Sequence, residues 1–268
     1  MKVLYVAELV GKAGVFCAKK VLADLRRELG IDFVIACADG ATGGKGLGLN
    51  HAAYLRKLGA DAITLGDYCF FKRDLTENMG NMPFVLRPAN LCPGAPGFGS
   101  FVFKAAGKKI AVAVLLGQSG FSHFHSENPV TGLEALLTNL REKTPYIIVD
   151  YHAAASAEKQ VLFYAADSLC SAVIGSHCRV QTADERILSG GTAIITDAGR
   201  TGSQISVCGT EIKSVISSFI SGIPEWLKEA WDGLELQGVL IDIDNDGKAV
   251  SIARIRRSVG RDELGIRN

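Results

Sequence analysis

The stretch Lys2-Val3-Leu4-Tyr5-Val6-Ala7-Glu8 decides how the rest is read, because it is a strand-length apolar run with a carboxylate just past its end. Behind it Ala18, Leu22, Leu25 and Leu29 recur at helical spacing up to Gly30, so the chain opens with a βα unit. Residues 33–36 read as a second buried strand. Asn50 is a candidate cap before Ala52, Tyr54, Leu55 and Leu58, and 62–65 is a third strand. Repeated βα predicts a parallel sheet. Residues 82–99 hold closely spaced Pro and Gly turns and read as an ordered loop. Strands at 109–116, 146–149 and 172–174 follow, with helices near 133–140 and 158–166. The last third reads as short strands at 193–196, 204–207, 236–243 and 249–255, with a hairpin turn at Asn245-Asp246-Gly247. A parallel half followed by a largely antiparallel half predicts an α/β protein of two sheets face to face with helices outside, a single domain spanning 1–268.

Composition narrows the classes. With 48% hydrophobic and 21% charged residues the chain has material for a substantial core. Lys plus Arg number 29 against 28 Asp plus Glu; a formal charge of +1 gives no long-range pull on nucleic acid or an anionic membrane. The mean hydropathy is +0.20, yet the longest apolar runs, such as 110–116, are strand-length, well short of the ~20 residues a bilayer requires. The N-terminal run is too short, and Glu8 too early, for a secretory signal. Seven cysteines, without a Cys-x-x-Cys pair, form neither a disulfide framework nor a zinc ribbon, and a cytoplasmic location fits. The final dozen Arg-rich residues read as a frayed or assembly-related tail.

In open α/β sheets ligands gather past the carboxyl ends of strands. There this chain places Glu8, Asp39, Asp67, Asp150 with His152, and His177 with Arg179. Each alone is an ordinary turn or structural residue; together they are the oxygen and nitrogen donors of a divalent transition-metal site.

The motifs Val10-Gly11-Lys12, Gly43-Gly44, Ile63-Thr64-Leu65-Gly66, Arg87-Pro88-Ala89-Asn90, Ile148-Val149-Asp150-Tyr151-His152-Ala153, Val180-Gln181-Thr182-Ala183-Asp184-Glu185-Arg186-Ile187-Leu188 and Gly238-Val239-Leu240-Ile241-Asp242-Ile243 follow one another in this order. In them the chain resembles the YmdB-type family of bacterial calcineurin-like metallophosphoesterases from Val3 to about Ile255. The resemblance implies a four-layer α/β/β/α sandwich and a di-metal phosphodiesterase site acting on phosphodiesters such as cyclic nucleotides. The site departs from the family pattern. The family's Gly-Asp is here Ala7-Glu8, its Gly-Glu-Asn is Ala38-Asp39-Gly40, its Gly-Asn-His is Gly66-Asp67-Tyr68, and its Gly-Thr-His-Thr-His is Gly175-Ser176-His177-Cys178-Arg179.

Carried over residue by residue, the metal ligands are Glu8, Asp39, Asp67, His152 and His177, with Tyr68 and Arg179 as catalytic positions. Asp39, Asp67, His152 and His177 serve one ion. Arg179, permanently charged and no ligand, stands in for the other by pairing with Glu8. The implied cofactor is a divalent transition metal, Mn or Fe or else Zn, as one ion rather than two, or none. The implied partner is a phosphodiester or phosphate small molecule, held in part by Arg179 and backbone N–H groups of 40–44, with homo-oligomerisation open. Two functions follow: a metallophosphoesterase whose phosphodiester hydrolysis is weakened or lost at Arg179, or a noncatalytic pseudoenzyme serving as a phosphate-ligand sensor or assembly scaffold. Other signals are read as bland: 43–48 as a loop beside the site, Asp242, Asp244 and Asp246 as a hairpin rather than a calcium loop, and His123, His125 and Glu127 as solvated. No nucleophile elbow accompanies Ser119 or Ser122.

Overall fold

The computed structural model describes residues 1–122 and 125–260, so His123 and the end of the Arg-rich tail lie outside the described residues. In chain order the strands are β1 (Lys2–Val6), β2 (Glu8–Leu9), β3 (Phe33–Cys37), β4 (Ala62–Thr64), β5 (Val85–Leu86), β6 (Ser100–Ala105), β7 (Lys108–Leu116), β8 (Ile147–His152), β9 (Ala172–Ser176), β10 (Arg186–Ile187), β11 (Ala193–Ile195), β12 (Arg200–Ser203), β13 (Leu234–Ile243) and β14 (Ala249–Ser258). The helices are α1 (Gly11–Leu29), α2 (Leu49–Lys57), α3 (Arg73–Thr76), α4 (Leu133–Arg141), α5 (Ser156–Ala166) and α6 (Ile212–Ser221). Among the described residues no helix is long and apolar enough to cross a membrane.

One sheet runs β2-β12-β13-β1-β3-β4-β5, with β14 on the other side of β13; the second runs β10-β11-β9-β8-β7-β6. Side-chain alternation builds the layers, since successive residues of a strand face opposite ways. Val3, Tyr5, Phe33, Ile35, Val239 and Ile241 of the first sheet meet Ile110, Val112, Val114, Ile148 and Ile174 of the second. Their neighbours Leu4, Val6, Val34 and Ala36 turn outward onto α1 and α2, while Ala111, Ala113, Val149 and Val173 turn onto α4 and α5. Three apolar interfaces stack four layers, α/β/β/α.

The division between sheets differs from the one expected. The parallel order does not end at mid-chain, because β7, β8, β9 and β11 are parallel neighbours. The antiparallel strands β13 and β14 instead return to the first sheet, where β13 pairs β1. Strand register is a long-range property that local patterning does not encode. Residues 204–207 form no strand; the pairing strand is β12, four residues earlier. β6 and α6 have no counterpart among the expected elements. β13 and β14 form the expected hairpin, its turn held by Asp244 Oδ1, which accepts the N–H groups of Asp246 and Lys248 at 2.9 Å each. Among the described residues β14 pairs with no strand but β13; Ala249 N–H at its start donates to the Gly191 carbonyl at 2.9 Å, and the strand carries Arg254, Arg256 and Arg257.

Ile148 is fully buried between the sheets. Ile148→Ala is expected to cost about 2–5 kcal/mol, read as a lower denaturant midpoint with unchanged slope; a change below ~1 kcal/mol would contradict a packed inter-sheet layer.

Candidate functional site

The carboxyl ends of β1, β3, β4, β8 and β9 converge at one rim of the sandwich. Glu8, Asp39, Asp67 and His152 are there almost fully buried, while His177 and Arg179 are partly exposed. His152 is the hub. Its Nε2 lies 2.9 Å from Asp67 Oδ1, 3.1 Å from His177 Nδ1 and 3.7 Å from Asp39 Oδ2. His177 Nδ1 is in turn 3.5 Å from Asp67 Oδ1. Asp67, His152 and His177 offer ligand atoms within 4.8 Å of one another. Phe121 packs on both imidazoles, with centroids 5.9 Å from His152 and 4.9 Å from His177.

Hydrogen-bond bookkeeping assigns the imidazole its tautomer. Tyr5 donates its hydroxyl to Asp150 Oδ2 and Ser176 donates to Asp150 Oδ1, each at 2.7 Å. The one hydroxyl hydrogen of Ser176 is thereby used, so at 3.0 Å its oxygen accepts from His152 Nδ1–H. Nε2 is left to face the acids. Asp150, placed by sequence among the ligand-bearing strand ends, therefore stands behind His152 as its orienting group. Such outer partners set which nitrogen a histidine presents to a metal.

Burial alone would depress the His152 pKa, but the hydrogen bond to Asp67 and the charges of Asp39 and Glu8 outweigh it and push it up to about 9. Burial also raises Asp39, to about 7, against the attraction of His152. For Asp67 burial opposes ionisation, yet its bonds to the two histidines win and hold its carboxyl well below the usual range. A proton and a cation thus compete for His152 Nε2.

On the other side of Asp39, Arg179 donates through Nε at 3.0 Å and Nη2 at 2.6 Å to Glu8 Oε1. Nη2 also reaches the Gly44 carbonyl at 3.1 Å, and Nη1 makes a longer bond to the Cys208 carbonyl at 3.4 Å. Both donors grip one carboxylate oxygen. Glu8 Oε2 stays buried without a hydrogen-bond partner among the described residues, so Arg179 does not discharge this acid completely. Asp67, His152 and His177, with Asp39 beside them, are a mixed carboxylate and imidazole set that fits one divalent transition ion.

Backbone geometry makes room for these contacts. A methyl at residue 66 would overlap the His152 ring, and one at residue 40 would sit 2.8 Å from both Glu8 Oε1 and Arg179 Nη2, so both positions need glycine. Gly66 and Tyr68 direct their N–H groups onto Asp39 at 2.7 and 3.1 Å. His177 and Arg179 have φ of 96° and 60°, unusual for residues with side chains. The buried Asp197 anchors that turn, accepting from Lys159 Nζ at 3.1 Å and from the N–H of Cys178 at 2.8 Å. A cavity of about 380 Å³ opens over the site, lined by Lys45, Tyr68, His177, Cys178, Arg179 and Cys208 among others. Burial and the nearby Asp67 raise the Tyr68 phenol, which keeps its proton at neutral pH. Within the 40–44 turn the N–H groups of Ala41 and Thr42 are spent on the loop's own carbonyls. Sequence reasoning missed Tyr5, Ser176, Phe121, Lys159 and Asp197; of these, Ser176 was signalled by its place one residue before His177.

The family model described as YmdB-like protein matches residues 4–255. The chain is 37% identical over 256 residues to a Bacillus subtilis (strain 168) protein named 2',3'-cyclic-nucleotide 2'-phosphodiesterase, covering 95% of this chain and 96% of that protein. Among solved structures, one described as a novel phosphatase from Mycoplasma pneumoniae superposes with a TM-score of 0.89 at 32% identity, covering 100% of this chain and 97% of that one. One from Thermus thermophilus, described as a hypothetical protein, superposes with a TM-score of 0.89 at 29% identity, covering 96% of this chain and 99% of that one.

In chelator-treated protein the folded His152 pKa lies above its unfolded value. Its stabilisation is complete below about pH 6.5 and is lost as pH rises through about 9; raised Asp39 acts with the same sign. Thermal unfolding should show stability falling by about 2–4 kcal/mol from pH 6 to above 9, and His152→Gln should flatten this slope. A curve that rises over this range would contradict the assignment. Gly66→Ala, which displaces the His152 ring, should weaken Mn binding at least about tenfold by calorimetric titration; unchanged affinity would show that His152 does not bind the ion.

Proposed function

The chain belongs to the YmdB-like family, and from that premise we propose that it is a one-cation phosphodiesterase acting on small nucleotide-like phosphodiesters, with turnover below that of a two-cation site. The observation that carries this reading is the convergence of Asp67, His152 and His177, the last of which lines a cavity together with Tyr68 and Arg179. The printed activity of the Bacillus subtilis relative supports the substrate class. The cavity, about 380 Å³, falls within the ~300–1,000 Å³ typical of small-molecule sites.

A divalent ion held by Asp67, His152 and His177, with Asp39 beside them, would supply Lewis-acid stabilisation of charge on a phosphoryl oxygen. The protein's own groups do the rest. Arg179 places positive charge where Glu8 would otherwise repel a phosphate, and its Nη1 is the part of the guanidinium left to a phosphate oxygen. Lys45, with Nζ 5.6 Å from the Tyr68 ring centre, adds a second cation at the cavity mouth. Tyr68 keeps its proton and so serves as donor to the leaving oxygen, in the position where the family carries an imidazole. With a pKa raised above 10 it is a slower shuttle than histidine. Phe121 covers both imidazoles and limits the access of water to them. The replacement of that imidazole by Tyr68, together with the Arg179–Glu8 pair, favours the second reading, a noncatalytic phosphate binder built on the same residues.

Hydrolysis of a 2',3'-cyclic mononucleotide with added Mn separates the two. Measurable turnover that Asp67→Asn and His177→Ala each reduce at least about 100-fold, with about one ion per chain by elemental analysis, is the expected outcome. Binding of the nucleotide without any turnover would establish the binder instead, and two tightly held ions per chain would overturn the role given to Arg179.

A further inference from the structure

The loop Gly43-Gly44-Lys45-Gly46-Leu47-Gly48 borders the cavity through Gly44 and Lys45. Its base is closed. Thr42 N–H donates to the Gly46 carbonyl at 2.9 Å, Gly46 N–H to the Asp39 carbonyl at 2.5 Å, and Gly48 N–H to Thr42 Oγ1 at 2.8 Å. The tip is different: among the described residues the N–H groups of Gly43, Gly44 and Lys45 make no hydrogen bond of ordinary geometry. Gly43 and Gly44 have φ of 67° and 80°, and a methyl at either would meet nothing within 4 Å, so these glycines serve backbone conformation rather than packing. Successive N–H groups left free in such a turn make an anion-binding concavity. The Gly44 carbonyl, which accepts from Arg179 Nη2 at 3.1 Å, ties this tip to the guanidinium of the site.

Lys45 sits at the same tip. Its side chain reaches over the Tyr68 ring, and among the described residues it has no ion-pair partner. The residues that line the cavity include two permanent cations, Lys45 and Arg179, and no carboxylate. With 29 basic and 28 acidic residues in the whole chain, this excess of one sign is a local feature. It exceeds what one phosphodiester requires. A phosphodiester carries a single negative charge, which the divalent ion and Arg179 Nη1 already meet. The ammonium of Lys45 and three N–H groups are a second set of donors, matched to the several oxygens of a second phosphate. On a ribose whose 2'- and 3'-oxygens share the phosphate at the metal, the hydroxyl left to carry another is the 5' one.

We propose that Lys45 and the N–H groups of residues 43–45 form a subsite for a second phosphate, carried on the 5'-oxygen of the nucleoside whose 2',3'-phosphate is cleaved. The inference rests on the phosphodiesterase reading above. Two ligands bring this chemistry: a free nucleoside bisphosphate, and the 3' end of an RNA strand, where the 5'-phosphate is the last internucleotide link. Calorimetric titration of the Mn-loaded full-length protein tests it with three probes, adenosine 3'-phosphate, adenosine 3',5'-bisphosphate, and the adenine dinucleotide ending in a 3'-phosphate. The bisphosphate is expected to bind at least about tenfold more tightly than the monophosphate, and Lys45→Met should reduce that ratio to below about threefold. The fall of log affinity with log salt should be steeper by about 0.7 for the bisphosphate, a difference that Lys45→Met removes. A dinucleotide that binds as tightly as the bisphosphate assigns the subsite to an RNA end, and one that binds as weakly as the monophosphate assigns it to the free bisphosphate. Equal affinities for monophosphate and bisphosphate, or an advantage that survives Lys45→Met, would overturn the subsite. The expected affinities without turnover of a 2',3'-cyclic mononucleotide would remove the phosphodiesterase reading and leave the subsite in place.

Discussion

Glu8, Asp39, Asp67 and Asp150 are each less than 5% exposed and share one rim of the sandwich. Burying an unpaired carboxylate costs many kcal/mol, so this concentration of acid dictates what surrounds it. Asp150 is met by two hydroxyls, Asp39 by the N–H groups of Gly66 and Tyr68, Asp67 by two imidazoles, and Glu8 by a guanidinium. Each partner comes from a different part of the sequence. The stacking of the two sheets matters to function because it brings these parts to one place.

The turn from Ser176 to Arg179 shows how a costly conformation is held. Residues at positive φ with side chains cost about 1–3 kcal/mol each, and two of the three residues following β9 adopt it. The offset comes from neighbours already fixed by the fold. Asp197 holds the N–H of Cys178 while pairing with the buried Lys159, and Arg200 Nη1 donates to the Arg179 carbonyl at 3.0 Å. His177 and Arg179 are thereby aimed to opposite sides of the acid cluster, the first at Asp67 and the second at Glu8.

Much of this was legible in the sequence. The apolar run in Lys2–Val6 and the helical spacing behind it are local signals, and they located β1 and the second half of α1. Polar residues at strand ends gave the acids and imidazoles because that position is set by topology alone. The destination of β13 was not legible. Its alternation is satisfied equally in either sheet, and only pairing with β1, more than two hundred residues earlier, decides the matter. The role of Asp150 was hidden for a related reason: spacing shows that it shares a face with His152 but not that Tyr5 and Ser176 already occupy both of its oxygens.

The open margin of β14 bears on the solution behaviour of the whole molecule. A long strand paired on one side only invites stacking of foreign β-structure onto the free amides of its other side, the first step toward fibrillar deposits. Here guanidinium groups from Arg254, Arg256 and Arg257 crowd that margin, two of them anchored on Glu185 and Glu28. Any incoming backbone would have to bury these charges. Charge so placed on an outer strand disfavours edge-wise pairing between copies.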